Sequence, residues 1–474
     1  MKKGDLILLA GTAVILLLIV SWVCDYDNMV IFTGDEWDYQ SIGVNGYNGA
    51  EFLTTGRIGE IDDYRFTGLD NGKISFWESF SGKKAYHRVP FYPMFISVSY
   101  KLFGINPVII KYIQLTILLI SGLLLSFAGK LAWGNRGFWI GYLSFIIFVG
   151  LNYRFTEHLM PENWQFLFLA VIIISLFYHY RNRPIYSVVL GLTLGLSCLN
   201  KGTTFILFPL ILISDLYYWW VKDRTHWKRM VLFCTMFILI TGLWSVYISI
   251  ERNQFTFLSV QTGEVILDGN NEFCIDGLWH PEWRERPDSY YNNDNLENMP
   301  GVIRAGVFYV KHPECLSNFA AKIKAGFAPV PSFIALMSLF LIWLATVIYR
   351  DSGSQKGIRG RVAGRIFALF SVCLSICFVL FSGAMNSILF TVVVVSIALL
   401  PVFCGSRFRK EIKLPFEFLI ILLNFLIFTL AFYVCNETYP SRYVKTMDGI
   451  LILLCFYFLS GILENFKKGI VKAS

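Results

Sequence analysis

The stretch IYSVVLGLTLGLSCLNKGTTFILFPLILISDLYYWW, residues 185–220, is the most informative part of this chain for its fold class. It is apolar along most of its length and is interrupted by Asn200, Lys201 and Gly202. One bilayer crossing takes about 20 residues, so a helix of about 36 residues is too long to cross once. The stretch therefore predicts two membrane spans, 185–199 and 203–220, joined by a very short turn.

Apolar runs of similar length recur through all 474 residues, of which 55% are hydrophobic and 16% charged. A soluble protein carries about a quarter charged residues. The predicted fold class is an all-α polytopic membrane protein with about 12 transmembrane helices, so the net charge of +8 does not indicate a nucleic-acid partner. The predicted spans are 6–24, 107–130, 137–152, 163–180, 185–199, 203–220, 230–250, 331–349, 365–382, 387–403, 416–434 and 448–464.

The distribution of basic residues predicts the orientation of these spans. If the N-terminus is cytoplasmic, every cytoplasmic connection is basic, as the positive-inside rule requires. The basic residues of these connections and of the C-terminal tail are Lys130, Arg136, Arg181, Arg183, Lys222, Arg224, Lys228, Arg229, Arg350, Lys356, Arg359, Arg361, Arg365, Arg407, Arg409, Lys410, Lys413, Lys467, Lys468 and Lys472. Both termini are then cytoplasmic, and the two longest loops lie on the outer side.

The spans and loops predict three parts. Residues 1–250 form a seven-span module that includes a first outer loop over 25–92, residues 251–330 form a second outer loop region, and residues 331–474 form a five-span module. The first outer loop is too long for a bare tether, and we expect interfacial helices over 46–53 and 92–104. Cys274 and Cys315 share the second outer loop, where spacing leaves both a disulfide and two free thiols open.

The outer connections contain acidic residues that could act as catalysts. Asp35 and Glu36 follow the first span in the sequence GDEWDY, where a carboxylate could take a proton from a hydroxyl acceptor. Glu157 and Glu162 lie in the short loop before the fourth span and could face the same place. The alternatives are a solvated acidic loop for the first pair and an ordinary helix start for the second.

Cations on three outer connections could bind phosphate. Arg88 lies in HRVPFYP (87–93), Lys201 in the short turn between spans five and six, and Arg442 in ETYPSRYVK (437–445). An arginine fork and a lysine beside a helix start both suit phosphate, and the alternative is anchoring to lipid headgroups. Candidate substrate-binding neighbours in these segments are His87, Tyr92 and Tyr443.

The second outer loop contains residues that suit carbohydrate. Asn270 lies in QTGEVILDGNNE (261–272), and Trp279 lies in GLWHPEW (277–283). Amides bond sugar hydroxyls, and indole faces stack on sugar rings. An ordered polar loop without a ligand is the alternative.

The order of these segments resembles one known family. The chain is similar to the lipid-phosphate-sugar-dependent glycosyltransferases of the C superfamily, which include protein O-mannosyltransferases and the aminoarabinose transferase of lipid A. The segments that carry the resemblance are Asp35-Glu36 with Tyr39, Arg88 to Pro93 with Val89 in place of a proline, Glu162, Gly191 to Leu196 with Leu199 to Thr203, Gly263 to Asn271, and Arg442-Tyr443.

The resemblance implies a glycosyltransferase C-like fold and a polyprenyl-phosphate monosaccharide donor. It implies a single displacement, with inversion at the anomeric carbon, by a hydroxyl of a lipid, glycan or protein acceptor. Asp35 would take the acceptor proton, supported by Glu36 or Glu162, and Arg88, Lys201 and Arg442 would hold the phosphate. Some family members bind a divalent metal near the acidic loop, here Asp35 and Glu36, although nothing in the sequence requires one.

Three other functions remain open from the sequence. A polysaccharide polymerase or ligase would use a lipid-linked glycan, a transporter of lipid-linked sugars would place charges at mid-membrane, and a structural or receptor protein would not need this set of acids and cations. Abundant Ile, Asn and Lys are typical of AT-rich bacterial genomes. The predicted location is the bacterial plasma membrane, with the site on the periplasmic or extracellular side.

Overall fold

Apolar runs of the sequence coincide with α-helices in a computed structural model of the protein. The chain divides into two units, the first comprising Met1–Leu131 and Phe145–Thr262 and the second comprising Ala132–Ser144 and Gly263–Ser474. The structure describes residues 3–24, 26, 35–47, 54–55, 83–84, 88–253, 255–259, 267–274, 281–295, 299, 301–318, 321–322, 420–421, 424–425 and 448–473. The predicted division into residues 1–250, 251–330 and 331–474 stays a prediction.

Ten α-helices and two short strands are named here in chain order. The helices are α1 Lys3–Val23, α2 Asp35–Tyr47, α3 Phe91–Phe103, α4 Pro107–Asn152, α5 Glu162–Tyr180, α6 Pro184–Asn200, α7 Leu207–Val221, α8 Trp227–Arg252, α9 Gly301–Lys311 and α10 Asp448–Ala473. The strands β1 Thr54–Thr55 and β2 Lys83–Lys84 pair antiparallel within the predicted first outer loop. The described fold is therefore helical, as predicted, apart from this small ribbon.

The helices coincide with the first seven predicted spans and with the last one. By length and composition, five helical segments among the described residues could cross a membrane: Lys3–Val23, Pro107–Thr156, Glu162–Tyr180, Gly202–Val221 and Arg224–Arg252. The predicted spans 331–349, 365–382 and 387–403 lie outside the described residues, as does most of 416–434. The total of about 12 spans stays a prediction.

The longest helix, α4, contains the second and third predicted spans. It is broken at Trp133, with φ −132° and ψ 16°, and at Gly134, with φ 65° and ψ −136°. Glycine adopts such a positive φ without the penalty that a side chain brings. The break lies between 107–130 and 137–152, where the sequence predicts a connection containing Lys130 and Arg136.

The two predicted interfacial helices differ in outcome. The helix predicted over 92–104 is confirmed as α3, whereas most of the helix predicted over 46–53 lies outside the described residues, which place α2 at Asp35–Tyr47. Acidic residues in a first turn interact favourably with the helix dipole, which is consistent with a start at Asp35. Gly43 lets α2 approach α3, since a Cβ there would lie 2.4 Å from the Ile96 side chain.

Close packing of α6 against α8 depends on two glycines. A Cβ on Gly191 would lie 2.4 Å from the Phe233 carbonyl oxygen, and one on Gly195 would lie 2.8 Å from the Ile240 Cβ. The backbones of the two helices are therefore too close for any side chain at these places. This packing fixes the end of α6, from which Lys201 follows.

Polar contacts in the first unit lie at the two ends of its helices. At one end, Lys130 pairs with Asp5 at 2.9 Å, and Arg181 donates to the Leu131 carbonyl oxygen. At the other end, the Tyr26 hydroxyl shares a 2.6 Å hydrogen bond with Thr156. The basic residues Lys130 and Arg181, predicted to be cytoplasmic, are therefore at the end opposite to the acidic loop residues described below.

The second unit contains an ordered part of the predicted second outer loop. Its core includes Leu267, Trp283, Tyr291 and Phe308. The buried Asp268 accepts hydrogen bonds from Trp283 Nε1 at 2.9 Å and from Arg284 Nη2 at 2.6 Å, and further apolar contacts come from α9. Cys274 and Cys315 are both free thiols, so the disulfide alternative is not realised.

Candidate functional site

The predicted site residues of the first unit surround an aromatic core between α2 and α3. Tyr39 and Tyr92 meet edge to face, with ring centroids 5.0 Å apart. Tyr92 is completely buried, and its hydroxyl donates to Gln114 Oε1 at 2.6 Å. In this position Tyr92 packs the core, and the predicted contact between Tyr92 and substrate stays a prediction.

Asp35 and Arg88 form the first of three acid–base pairs around this core. The Arg88 Nη2 donates to Asp35 Oδ1 at 2.5 Å, and the guanidinium lies 5.1 Å from the centroid of the Tyr39 ring. A guanidinium that is held by a carboxylate and an aromatic face has a fixed direction. Asp35, a predicted base, and Arg88, a predicted phosphate ligand, are thus in direct contact.

Glu36 and His158 form the second pair. His158 Nδ1 lies 2.6 Å from Glu36 Oε1, and the carboxylate side chain is 4% exposed while the imidazole is 54% exposed. The hydrogen bond to Glu36 is the largest cause that raises the pKa of His158 above its usual value, and burial of the ring opposes it. A buried carboxylate therefore holds an imidazole that is open to its surroundings.

Glu162 and Lys201 form the third pair. Lys201 Nζ lies 3.0 Å from Glu162 Oε1, with the side chains 12% and 1% exposed. The two helix ends are joined by further bonds, because Asn200 Nδ2 donates to the Pro161 carbonyl oxygen at 3.0 Å and Gln165 Nε2 donates to Thr204 Oγ1 at 2.8 Å. The predicted turn at Lys201 thus places an ammonium over the first turn of α5.

These three pairs lie at the same end of the first unit. A Cβ on Gly202 would lie 3.9 Å from Val89, so the turn after Lys201 lies beside the residue that follows Arg88. Burial is the largest cause that raises the pKa of Tyr92, and smaller contributions come from Tyr100, Tyr39, Glu162 and Glu36. The pairs therefore surround one shared core and bring together Asp35, Glu36, Arg88, Glu162 and Lys201.

Glu157 lies at this end of the unit in a different contact. Its Oε1 accepts a hydrogen bond from the Cys24 Sγ at 3.2 Å. Burial, followed by this carboxylate, raises the pKa of Cys24 to about 12. The thiol is therefore kept protonated, and Glu157 connects Cys24, the residue after α1, to the loop before α5.

Asn270 lies in the second unit. Its side-chain oxygen accepts hydrogen bonds from Lys322 Nζ at 2.6 Å and from the Tyr309 hydroxyl at 3.0 Å, and its carbonyl oxygen accepts from the Tyr291 hydroxyl. These bonds organise the loop, and the predicted sugar contact stays a prediction. His87, Trp279, Arg442 and Tyr443 lie outside the described residues, so their predicted roles stay predictions too.

The divalent metal predicted beside Asp35 and Glu36 stays a prediction. Asp35 already contacts a guanidinium and Glu36 an imidazole. Within the described part of the chain, the one group of three close metal-ligand side chains lies elsewhere, at His179, Asp215 and His226. No step of the chemistry is therefore assigned to a metal beside Asp35 and Glu36.

The hydrogen bonds of the His179 cluster are those of a buried carboxylate held by two imidazoles. Both imidazole Nε2 atoms lie 3.0 Å from Asp215 Oδ1. Arg229 can only donate, and it lies 2.8 Å from His226 Nδ1, so in the neutral ring the proton is on Nε2. That nitrogen then donates to Asp215 and has no lone pair for a metal.

Two residues of this end, His158 and Gln114, were missed as functional residues by the sequence reasoning. His158 lies in the segment TEHLMPE (156–162), in which only the acidic residues indicate a catalytic role, and its partner Glu36 is 122 residues away. Gln114 is the one amide between the start of α4 and its break at Trp133. An isolated amide in a membrane span was the available signal, because such a residue needs an internal partner.

Two solved structures show a low level of similarity to this chain. The crystal structure of ArnT from Cupriavidus metallidurans bound to undecaprenyl phosphate gives a TM-score of 0.41 at 14% identity, covering 97% of this chain and 78% of that chain. The same protein in the apo state gives 0.39 at 15% identity, with the same coverage. No protein-family model matches the chain, and no curated protein sequence matches it. Similarity of this extent assigns neither a family nor a function.

Proposed function

We propose that the protein is a membrane-embedded inverting glycosyltransferase that moves a monosaccharide from a polyprenyl-phosphate donor to a hydroxyl acceptor. The observation that carries this proposal is the convergence of two held cations, Arg88 and Lys201, with three carboxylates at one end of an apolar helical unit. A lipid phosphate needs cations at headgroup depth, and its sugar needs acid–base groups beside them.

The cations suit the leaving group of such a reaction. The acceptor oxygen forms a bond to the anomeric carbon, and the bond from that carbon to the phosphate oxygen breaks with its electron pair. Negative charge then develops on the departing polyprenyl phosphate, and fixed cations stabilise it. Asp35 and Glu162 keep Arg88 and Lys201 in place before the donor arrives.

The positive-inside pattern supports an outward-facing site. The end of the unit that contains Lys130 and Arg181 is the predicted cytoplasmic end, and the three acid–base pairs lie at the other. The donor would reach this end from the outer leaflet, and the acceptor would reach it from the periplasm or the cell exterior.

Asp35 has two roles that an experiment can separate. It could take the acceptor proton, as the sequence predicts, or it could orient Arg88, which its 2.5 Å contact favours. The experiment compares the transfer rates of Asp35→Asn, Arg88→Gln and the double variant. Membranes that contain each variant are supplied with polyprenyl-phosphate-linked hexose, pentose and aminosugar. The readout is radiolabel transferred to acceptor.

If Asp35 acts through Arg88, the double variant should be no slower than Arg88→Gln alone. If Asp35 is the base, Asp35→Asn should lower the rate by a further factor of about 10²–10⁴. Consumption of polyprenyl-diphosphate glycan in place of all three donors would identify a polymerase or ligase and end the proposal.

A further inference from the structure

In the pair formed by Glu36 and His158, a buried carboxylate orients an imidazole that could act as a general base. Glu36 is buried and lies against His158 Nδ1 at 2.6 Å. An ionised carboxylate can only accept, so Nδ1 carries a proton. In the neutral ring the lone pair is then on Nε2, at the far side of an imidazole that is 54% exposed.

Two hydrogen bonds of Gln114 connect the backbone of His158 to the core. Gln114 Nε2 donates to the His158 carbonyl oxygen at 2.8 Å, and Gln114 Oε1 accepts from the Tyr92 hydroxyl at 2.6 Å. Leu159, the next residue, belongs to the same core as Tyr92. The imidazole therefore projects from a fixed position, which general base catalysis requires.

We infer that His158 Nε2 takes the proton of the acceptor hydroxyl and that Glu36 orients the imidazole and stabilises its charged form. This inference rests on the proposed function. The O–H proton of the acceptor passes to Nε2 while the hydroxyl oxygen bonds to the anomeric carbon, and polyprenyl phosphate leaves with the electron pair of the broken bond. The proton later returns to water.

This assignment divides the work between neighbouring residues of α2. Asp35 holds the cation that faces the leaving group, and Glu36 holds the imidazole that faces the acceptor. The residues that hold the base and the cation are then adjacent at the start of α2, so that the acceptor hydroxyl and the leaving phosphate can meet at one sugar. His158 is the catalytic residue, and Glu36 is a positioning residue.

The charges that face His158 decide how its activity depends on pH. Glu36 from α2 and Glu157 from the neighbouring turn favour the protonated ring, and Lys111 from α4 opposes it. The net effect raises the pKa of His158 above its usual value of about 6.5. Only the neutral ring can accept a proton, so activity should fall as the pH drops through a value above about 6.5.

The test measures kcat, donor KM and the pH profile for His158→Gln and Glu36→Gln. His158→Gln retains an amide that can bond Glu36 but cannot take a proton, so kcat should fall by a factor of about 10²–10⁴ with donor KM unchanged. Glu36→Gln should move the acid limb of the profile to lower pH. Imidazole added to His158→Ala should restore part of kcat.

The matched control is His312→Gln. His312 also pairs through Nδ1 with a glutamate, Glu314, at 3.1 Å, but it is in the second unit. This control should transfer at the wild-type rate. The inference is overturned if His158→Gln remains within threefold of wild type or if its acid limb is unchanged. A wild-type protein that uses no lipid-phosphate sugar would instead end the proposed function itself.

Discussion

Lys201→Met tests whether the ammonium group holds both the fold and the donor. Lys201 Nζ is 3.0 Å from the carboxylate of Glu162, which is 1% exposed. Removing one partner of a buried ion pair typically costs about 3–5 kcal/mol because the other charge is left uncompensated. Since Lys201 is itself 12% exposed, we expect the lower part of this range, about 3 kcal/mol.

A double-mutant cycle separates the two roles of Lys201. Glu162→Gln removes the buried charge, so the double variant should be more stable than Lys201→Met by about 1–3 kcal/mol. Donor binding should not recover in the double variant, because the phosphate still lacks its ammonium. The free energy of unfolding is measured by denaturant titration in detergent with tryptophan fluorescence, and binding is measured with undecaprenyl phosphate.

Two outcomes would refute this reasoning. A free energy of unfolding for Lys201→Met within about 0.5 kcal/mol of wild type would mean that the pair contributes no more than an ordinary surface contact. Recovery of undecaprenyl phosphate binding together with stability in the double variant would mean that Lys201 acts on the donor only through the fold.

The remaining predictions concern helix packing and the buried histidine cluster. Gly191→Ala should destabilise the protein by about 1–3 kcal/mol because its Cβ would lie 2.4 Å from the Phe233 carbonyl oxygen. Gly150→Ala should instead stabilise it by about 0.5–1 kcal/mol, because nothing lies within 4 Å of a Cβ at this position. Equal melting temperatures for the two variants would contradict the close packing at Gly191. Asp215→Asn should cost about 2–3 kcal/mol by weakening two hydrogen bonds to a charged group. A chelator should leave the melting temperature of the wild type unchanged, and a fall would show that this cluster holds a metal.

Hydropathy predicted the helices well because a bilayer demands long apolar runs whatever their neighbours. The seven spans of the first 250 residues coincide with helices, including the break at Gly134. The start of α2 was missed because its polar and glycine-rich sequence is typical of a loop. Its helix is stabilised by close packing on α3 at Gly43, a contact that local sequence does not reveal.

The sequence predicts individual site residues but not the contacts between them. Asp35, Arg88, Glu162 and Lys201 were all expected at one face, each for a separate role. The structure joins them as Asp35 with Arg88 and Glu162 with Lys201, across 53 and 39 residues of chain. A single sequence cannot show such distant partners, and for the same reason His158 was overlooked.

Transfer by the purified protein in lipid nanodiscs tests whether the protein is a glycosyltransferase that uses polyprenyl-phosphate donors. The protein is given polyprenyl-phosphate-linked hexose, pentose or aminosugar with an extract of membrane lipids and glycans, and the radiolabelled product and released polyprenyl phosphate are both measured. We predict transfer from at least one of these donors, with one polyprenyl phosphate released for each sugar transferred. If all three donors remain unconsumed while the protein stays folded, the protein is not a glycosyltransferase of this class.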